Sequence, residues 1–306
     1  MKLLLPLLTT LSLLLAACGS ATPTAQGPRT LTVMTHDSFA VSEDVIVAFQ
    51  EANNATVQIL SSGDAGTAVN LAILNREAPL ADVFFGIDNT LLTRGLDAGI
   101  FEPYQSPLLA DIPNHFKLDP SNRVSPVDYG DVCLNYEKAY FKDHNLPLPA
   151  SLEDLTKAEY EGLLVVENPA SSSPGLAFLL ATVGHFGPDY YLDYWVDLRA
   201  NGVKVVEDWE MAYFTEFSGS SGRGPYPLVV SYSSSPTAEV IFADEPLDTS
   251  PTGSIVAPGT CFRQVEFVGI LRDTPNRDLA ESWIDFMLST TFQEDVPMQM
   301  FVFPVN

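Results

Sequence analysis

Short apolar runs alternate with amphipathic stretches over most of this chain. Leu31–Thr35 predicts a strand, and Val41–Asn53 repeats apolar residues at helical spacing, which predicts a helix. Further strands are predicted at Val57–Leu60 and Ala81–Phe85, and further helices at Ala65–Arg76 and Asn89–Asp97. This β-α-β-α-β order favours a parallel sheet with helices packed on its faces.

A second unit of the same kind follows a proline-marked stretch at 103–126. Its predicted strands are 127–136, 163–167, 203–207, 228–232 and 264–271, and its predicted helices are 151–155, 173–186, 190–201, 209–217, 235–242 and 276–288. Two α/β units joined by extended crossings near 127–136 and 261–271 predict a two-lobed clamshell with hinge strands, which holds its ligand between the lobes. We expect one lobe to comprise 30–126 plus 271–306, and the other 127–270 with the hinge strands.

The N-terminus predicts export and a membrane anchor. Lys2 precedes the apolar run Leu3–Leu15, which is too short to span a bilayer comfortably, so residues 1–18 are typical of a signal peptide. The small residues before Cys18 resemble a lipobox, in which the cysteine becomes the lipidated first residue of the mature protein. The alternative is a plain secretory signal that is cleaved nearby. Residues 19–29 are small, polar and proline-containing, as in a flexible tether.

The charge of the chain limits its partners. There are 15 Lys and Arg against 39 Asp and Glu, a net charge of −24, which becomes −25 once Lys2 leaves with the signal. This charge disfavours nucleic acid and anionic lipid and attracts small cations, although solubility alone would also explain most of it.

The cysteines predict a bridge. With Cys18 assigned to lipid, Cys133 and Cys261 remain as an even pair in an oxidising compartment. Both lie in strand-like runs, so we favour a disulfide, the alternative being two buried free thiols.

Three loops at strand ends or helix starts carry candidate binding residues. His36 and Asp37 follow the first predicted strand, and Asp64 precedes a helix, where it either caps that helix or faces a ligand cation. Ser172 and Ser173 begin another helix, whose free N–H groups would hold an anion or phosphate.

Trp209 is the most informative aromatic residue. It lies at a helix start among Glu207, Asp208 and Glu210, where it could stack on a cationic ring. The alternative is ordinary packing. Tyr232 ends a strand and leads into a serine-rich helix start, which again favours an anion.

Enzyme signatures are missing from the sequence. There is no Gly-x-Ser-x-Gly elbow, HExxH pair, Walker loop or Cys-x-x-Cys motif, and the four histidines lack zinc-type spacing. We therefore expect no catalysis, cofactor or metal. Tyr190 and Tyr191 resemble the adjacent tyrosines of ferric-ion-binding proteins, but their context favours a helix face.

Several soft motifs, in their order and spacing, resemble the periplasmic thiamine-binding proteins of ABC importers. They are Thr35–Ala40, Gly86–Leu92, Asp128–Gly130, Ser172–Leu176, Trp209–Tyr213, Ser231–Pro236 and Gln264–Glu266. The resemblance implies a type II binding fold, a monomer that closes on thiamine or a thiamine phosphate, and delivery to a membrane permease. The contacts it implies are Asp64, Ala65, Ser172, Ser173, Trp209, Tyr232, Ser233, Ser234, Ser235 and Pro236, to which we add His36, Asp37 and Asp88 as candidates.

The chain departs from the family pattern in three places. His36 stands where the family has a tyrosine, Ala65 replaces a glycine, and relatives continue past the position of Asn306, which implies that closing helices of the first lobe are missing. Other hypotheses are a binding protein for a polyamine, ferric ion or small anion, an extracytoplasmic hydrolase, and a structural surface protein.

Overall fold

The computed structural model describes residues 27–220, 223–243 and 245–306, and eleven strands within them form one continuous sheet. The strands are β1 (Arg29–Thr35), β2 (Ala55–Ser61), β3 (Val83–Asp88), β4 (Phe101–Glu102), β5 (Ser125–Glu137), β6 (Leu164–Glu167), β7 (Lys204–Val206), β8 (Leu228–Tyr232), β9 (Thr252–Ile255), β10 (Phe262–Leu271) and β11 (Phe303–Pro304). The main strand order is β2-β1-β3-β10-β5-β8-β6-β7, with β4 on β10 and with β9 and β11 on β5. The predicted signal peptide and Cys18 lie outside the described residues.

The helices connect these strands. They are α1 (Glu43–Asn53), α2 (Ala65–Leu74), α3 (Leu92–Ala98), α4 (Lys138–Asp143), α5 (Ser173–Phe186), α6 (Tyr191–Ala200), α7 (Ser235–Ile241), α8 (Arg277–Leu288) and α9 (Thr290–Gln299). A π-helix covers Met211–Glu216, and short 3₁₀ turns cover Pro107–Asp111, Asn114–Phe116, Glu153–Thr156 and Ala158–Tyr160. No helix of the described residues is long and apolar enough to cross a membrane.

The two longest strands, β5 and β10, connect the two halves of the molecule. They run antiparallel to each other, while β10 also pairs with β3 on one side and β5 pairs with β8 on the other. One hydrophobic core, with Phe84, Phe267 and Trp283, lies on the β3 side, and another, with Phe178 and Val230, lies on the β8 side. The predicted two-lobed α/β clamshell with crossover strands is confirmed.

A disulfide joins the two hinge strands. Cys133 in β5 and Cys261, directly before β10, are bonded, and their Cα atoms are 4.3 Å apart. The neighbouring residues Val132 and Phe262 are paired in the sheet. The covalent link therefore holds the two crossovers in register at the edge of the second lobe.

Most predicted elements are present, and two differ in type. The predicted helix 209–217 is a π-helix over Met211–Glu216, in which the Phe217 N–H donates to the Ala212 carbonyl five residues earlier, at 2.9 Å. The predicted helix 151–155 is a 3₁₀ turn beginning at Glu153, because the Asp154 carboxylate accepts from the Ala150 N–H and tightens the turn.

Candidate functional site

A cavity of about 690 Å³ lies between the two lobes. Seven of the candidate binding residues form part of its wall, namely His36, Asp64, Ala65, Ser173, Trp209, Tyr232 and Ser235. The other six do not line it, namely Asp37, Asp88, Ser172, Ser233, Ser234 and Pro236. Tyr190, at the start of α6, is 67% exposed and lies outside the cavity wall.

Trp209 provides an aromatic wall that is held from three directions. Its ring lies nearly parallel to Tyr213, with centroids 5.2 Å apart and 14° between planes, and it meets Tyr232 edge-on at 6.4 Å. Its Nε1–H donates to the Ser231 Oγ at 3.0 Å. The π-helix that follows Trp209 places Tyr213 against it, so contacts within the protein hold the indole in the wall.

The lobes touch where α2 begins. The Asp64 Oδ1 accepts from the Ala65 N–H at 2.6 Å, and its Oδ2 accepts from the Trp209 N–H of the other lobe at 3.1 Å. The Thr67 N–H donates to the Ser171 carbonyl at 3.1 Å. A Cβ on Gly66 would lie 2.5 Å from that carbonyl oxygen, so only glycine permits this approach. Asp64 is both a helix cap and a contact between the lobes, and it also faces the cavity.

The helix start predicted to hold an anion lies beside this contact between the lobes, and Ser173 lines the cavity there. Ser172 is the N-cap of α5, and the Ser173 Oγ accepts from the Gln264 Nε2 at 2.7 Å. The preceding residue, Ser171, is the one whose carbonyl receives the Thr67 N–H. The first turn of α5 therefore lies close to the start of α2, where Asp64 is the N-cap.

Gln264 hydrogen-bonds two residues of the cavity wall, Tyr232 and Ser173, and also Asp88 of the first lobe. Its Oε1 accepts from the Tyr232 hydroxyl at 2.8 Å, and its Nε2 donates to Asp88 as well as to Ser173. Burial raises the pKa of Asp88 to about 6, against hydrogen bonds from Thr90 and Gln264 that favour the ionised form. Asp88 thus anchors Gln264, which in turn bonds Tyr232 and Ser173 of the wall.

His36 forms an ion pair with a carboxylate of the hinge. Its Nε2 lies 3.2 Å from the Glu266 Oε1, and both side chains are nearly buried. Its ring packs on Gly86, whose φ of +99° and lack of a side chain leave room for it. Burial lowers the pKa of His36, but Glu266, Asp64 and Asp37 outweigh that effect, so its pKa is raised.

A second carboxyl lies behind this pair. Asp128 is fully buried next to Glu266, and burial together with the Glu266 charge raises its pKa well above the ordinary value. Protonated Asp128 can donate to Glu266, whose own pKa is lowered because His36 outweighs the effect of burial.

The cavity wall carries an excess of negative charge. Besides Asp64 and Glu266 it contains Glu210 at its rim and Glu239, which accepts from the Tyr213 hydroxyl at 2.7 Å. Partial burial raises the pKa of Glu210, and the nearby carboxylates of Asp37, Asp208 and Asp64 raise it further. Such carboxylates would gain from a cation in the cavity.

Sequence reasoning missed several residues of this site. Gln264, Glu266 and Tyr213 lie in matching stretches to which the sequence assigns no individual role, and Glu239 carries no sequence signal, whereas Glu210 is one of the acids that the sequence places around Trp209. The only usable signal was the four-residue spacing of Trp209 and Tyr213, which puts both rings on one helix face. Among the described residues, no group of three or more His, Cys, Asp or Glu side chains could hold a metal ion.

Comparisons with known proteins agree with this architecture. A family model described as a bacterial extracellular solute-binding protein matches residues 78–306. The thiamine-binding periplasmic protein of Salmonella typhimurium is 29% identical over 310 residues, which cover 100% of this chain and 86% of that protein.

Solved structures share the fold. A periplasmic thiamin binding protein has a TM-score of 0.77 at 26% identity, with 91% of this chain and 84% of that chain covered. Iron-bound HitA from Pseudomonas aeruginosa has a TM-score of 0.75 at 19% identity, with 91% and 87% covered, which shows a common fold alone. The predicted type II fold and the resemblance noted in the sequence are confirmed. Because the family model matches residues 78–306 and the two-lobed fold agrees with it, the chain belongs to the bacterial extracellular solute-binding proteins.

Proposed function

We propose that this protein captures thiamine in the cavity between its lobes and delivers it to an ABC importer. The observation that carries the proposal is Trp209, an indole held in the cavity wall beside the carboxylates of Asp64 and Glu210. An aromatic face flanked by carboxylates suits a flat organic cation, because the ring quadrupole and the negative charges attract the same ligand. The similar proteins named above are called thiamine-binding, which supports this choice.

Thiamine matches the chemistry of the wall in two parts. Its thiazolium ring carries a permanent positive charge, which suits the indole of Trp209 and the phenol ring of Tyr232. Its aminopyrimidine offers a donor and acceptors, which Asp64 and the hydroxyl of Ser235 can meet. Each cation–π contact contributes about 0.5–2 kcal/mol once water is excluded. Several such contacts in a closed cavity can produce tight binding.

A binding screen tests the proposal. We expect thiamine to raise the melting temperature of the protein without being chemically changed, since a ligand that binds only the folded state stabilises it by RT ln(1 + [L]/Kd). Spermidine, ferric ion and sulfate serve as comparison ligands. A clear shift with one of these and none with millimolar thiamine would contradict the assignment. Turnover of thiamine would instead favour an enzyme over a binding protein.

We further propose that the mature protein is a monomer held at the extracytoplasmic membrane surface by acyl chains on Cys18. The lipobox-like sequence before Cys18 and the polar tether after it support this arrangement. Mass spectrometry of the mature N-terminus from the native host should find the acyl chains, and the protein should partition with membranes. Cys18→Ala should release the protein or leave its precursor unprocessed. An unacylated mature N-terminus at another residue would contradict the anchor.

A further inference from the structure

We propose that Phe242 and Phe301 form an aromatic latch between the two lobes, which slows the release of a bound solute. The proposal rests on the proposed function for the identity of that solute, and it adds two residues that control how long the solute stays bound. It is carried by the contact between the two rings, by their position at the edge of the cavity, and by the backbone conformation of Phe301.

The two rings meet across the cleft between the lobes. Phe242 directly follows α7 of the second lobe, and Phe301 lies between α9 and β11, next to residues that pack in the core of the first lobe. The ring centroids are 5.0 Å apart with 70° between planes, an edge-to-face arrangement that aromatic pairs prefer. Both residues line the cavity, and Phe242 is 68% exposed, so the pair lies where the cavity meets solvent.

The residues around Phe301 are fixed to the first lobe. We call residues 299–302 the C-terminal strap. At its start the Gln299 Nε2 donates to the Ser42 Oγ at 3.0 Å, and at its end Val302 is buried in the core of the first lobe. The strand that follows the strap, β11, pairs with the hinge strand β5. These anchors hold the strap in place, so that the ring of Phe301 meets the second lobe from a fixed position.

Phe301 holds a backbone conformation that a bulky side chain disfavours. Its φ is +56°, in the left-handed region, where the Cβ atom crowds the backbone. The other described non-glycine residues with a positive φ are Asn or Asp, which tolerate it. Such strain persists only where surrounding contacts compensate for it, and it concentrates at binding and switching elements. Here the left-handed turn leaves Met300 and Val302 packed on the first core, while the ring between them contacts the second lobe.

The contact between the rings opposes opening of the cleft. When the lobes move apart, the rings separate and both become more exposed to water, so the contact favours the closed molecule without involving an atom of the solute. An aromatic pair of this kind shifts an equilibrium by roughly two- to tenfold. Because the pair must separate before the cleft opens, we expect the effect mainly in the rate of release rather than in the rate of association.

The release of labelled thiamine into an excess of unlabelled thiamine tests the latch. Phe242→Ala and Phe301→Asn should each release thiamine about two- to tenfold faster than the wild type. Asparagine removes the ring but tolerates the left-handed backbone, so the strap keeps its conformation. Phe303→Ala removes an exposed ring outside the cavity wall and should leave the release rate unchanged. Unchanged release in both Phe242→Ala and Phe301→Asn would overturn the latch.

The double variant distinguishes a latch from two separate contacts with the solute. If the rings act on each other, Phe242→Ala combined with Phe301→Asn should release thiamine no faster than the faster single variant, because one substitution already removes the contact. If the two effects multiply instead, each ring acts independently, and the latch is wrong.

Cross-linking tests the contact without relying on the identity of the solute. The native cysteines Cys133 and Cys261 are bonded to each other and do not react. A short bismaleimide should therefore bridge Phe242→Cys with Phe301→Cys, and the intact mass of the protein measures the bridge. Phe242→Cys with Leu74→Cys should not be bridged, since Leu74 is exposed at the end of α2 that lies away from the contact between the lobes. Failure to bridge positions 242 and 301 would overturn the latch, whereas a bridge in a protein that does not bind thiamine would overturn the proposed function alone.

Discussion

Replacing Trp209 with alanine should weaken thiamine binding strongly. The change removes one cation–π contact, about 0.5–2 kcal/mol, together with a flat apolar surface that the ligand would cover. We expect a total loss of about 2–3 kcal/mol, which corresponds to roughly 30- to 150-fold weaker binding at 1.4 kcal/mol per decade. Trp209→Phe keeps a ring with a weaker quadrupole and should recover part of the affinity.

The same change should also lower the free energy of unfolding, because Trp209 has structural contacts. It stacks on Tyr213 at 5.2 Å and donates to the Ser231 Oγ at 3.0 Å. An aromatic pair contributes about 0.5–1.5 kcal/mol and a hydrogen bond a similar amount, so about 1–3 kcal/mol of stability should be lost. The loss of affinity must therefore be measured on protein that is shown to be folded.

Isothermal titration beside a urea melt separates the two effects. Trp195→Ala is a matched control, since Trp195 is also a partly buried indole of the second lobe, packs edge-on against Phe178 and donates to the Thr182 Oγ1 at 2.9 Å. It lies outside the cavity wall, so its removal should cost stability and leave affinity unchanged. If Trp209→Ala behaves like the control, with normal affinity and a lowered melt, then Trp209 is structural and the proposed site is wrong.

The remaining predictions concern lobe contact, pH and the disulfide. Gly66→Ala should weaken thiamine binding about tenfold or more and enlarge the ligand-bound particle in small-angle scattering, whereas Gly184→Ala, which meets nothing within 4 Å, should do neither. Because the pKa of His36 is raised in the folded protein, protonation of His36 stabilises the fold. This stabilisation is complete below the ordinary pKa of 6.5 and is lost as pH rises through the raised pKa. The difference in urea stability between wild type and His36→Asn should therefore shrink as pH rises from 6.5 through the raised pKa of His36, and a constant difference would refute the ion pair's role. Mass analysis after alkylation without reductant should show Cys133 and Cys261 unmodified, and two alkylated thiols in folded, oxidised protein would refute the bridge, whose entropic stabilisation is about 4–5 kcal/mol.

The order of strands and helices could be predicted because each element carries its own periodic pattern. The helix at 173–186 matches α5 at both ends, since Pro174 favours a helix start and Gly187 a helix end. The α9 helix was missed because Pro297 lies within it, and proline is usually a sign that a helix has ended. The two-residue strands β4 and β11 were missed because two residues carry no period.

The composition of the site was only partly predictable from the sequence. Trp209 and Asp64 could be selected because an aromatic among acids and an acid before a helix are local signals. Gln264 could not be selected, because its importance comes from bonding Tyr232 and Asp88, which lie far from it in sequence. Contacts across lobes depend on how distant parts of the chain meet in space, and no local sequence pattern records that.

The contact at Asp64 explains how a ligand cation would favour the closed molecule. One carboxylate oxygen caps α2 and the other accepts the Trp209 N–H from the opposite lobe, so the same group joins the lobes and faces the cavity. Burial raises its pKa, while the hydrogen bonds it receives oppose that rise. A cation beside it stabilises the ionised form, which is the form that binds the two N–H groups most strongly. Since each N–H belongs to a different lobe, stabilising that anion also stabilises the contact between the lobes, and by linkage the contact increases affinity for the cation.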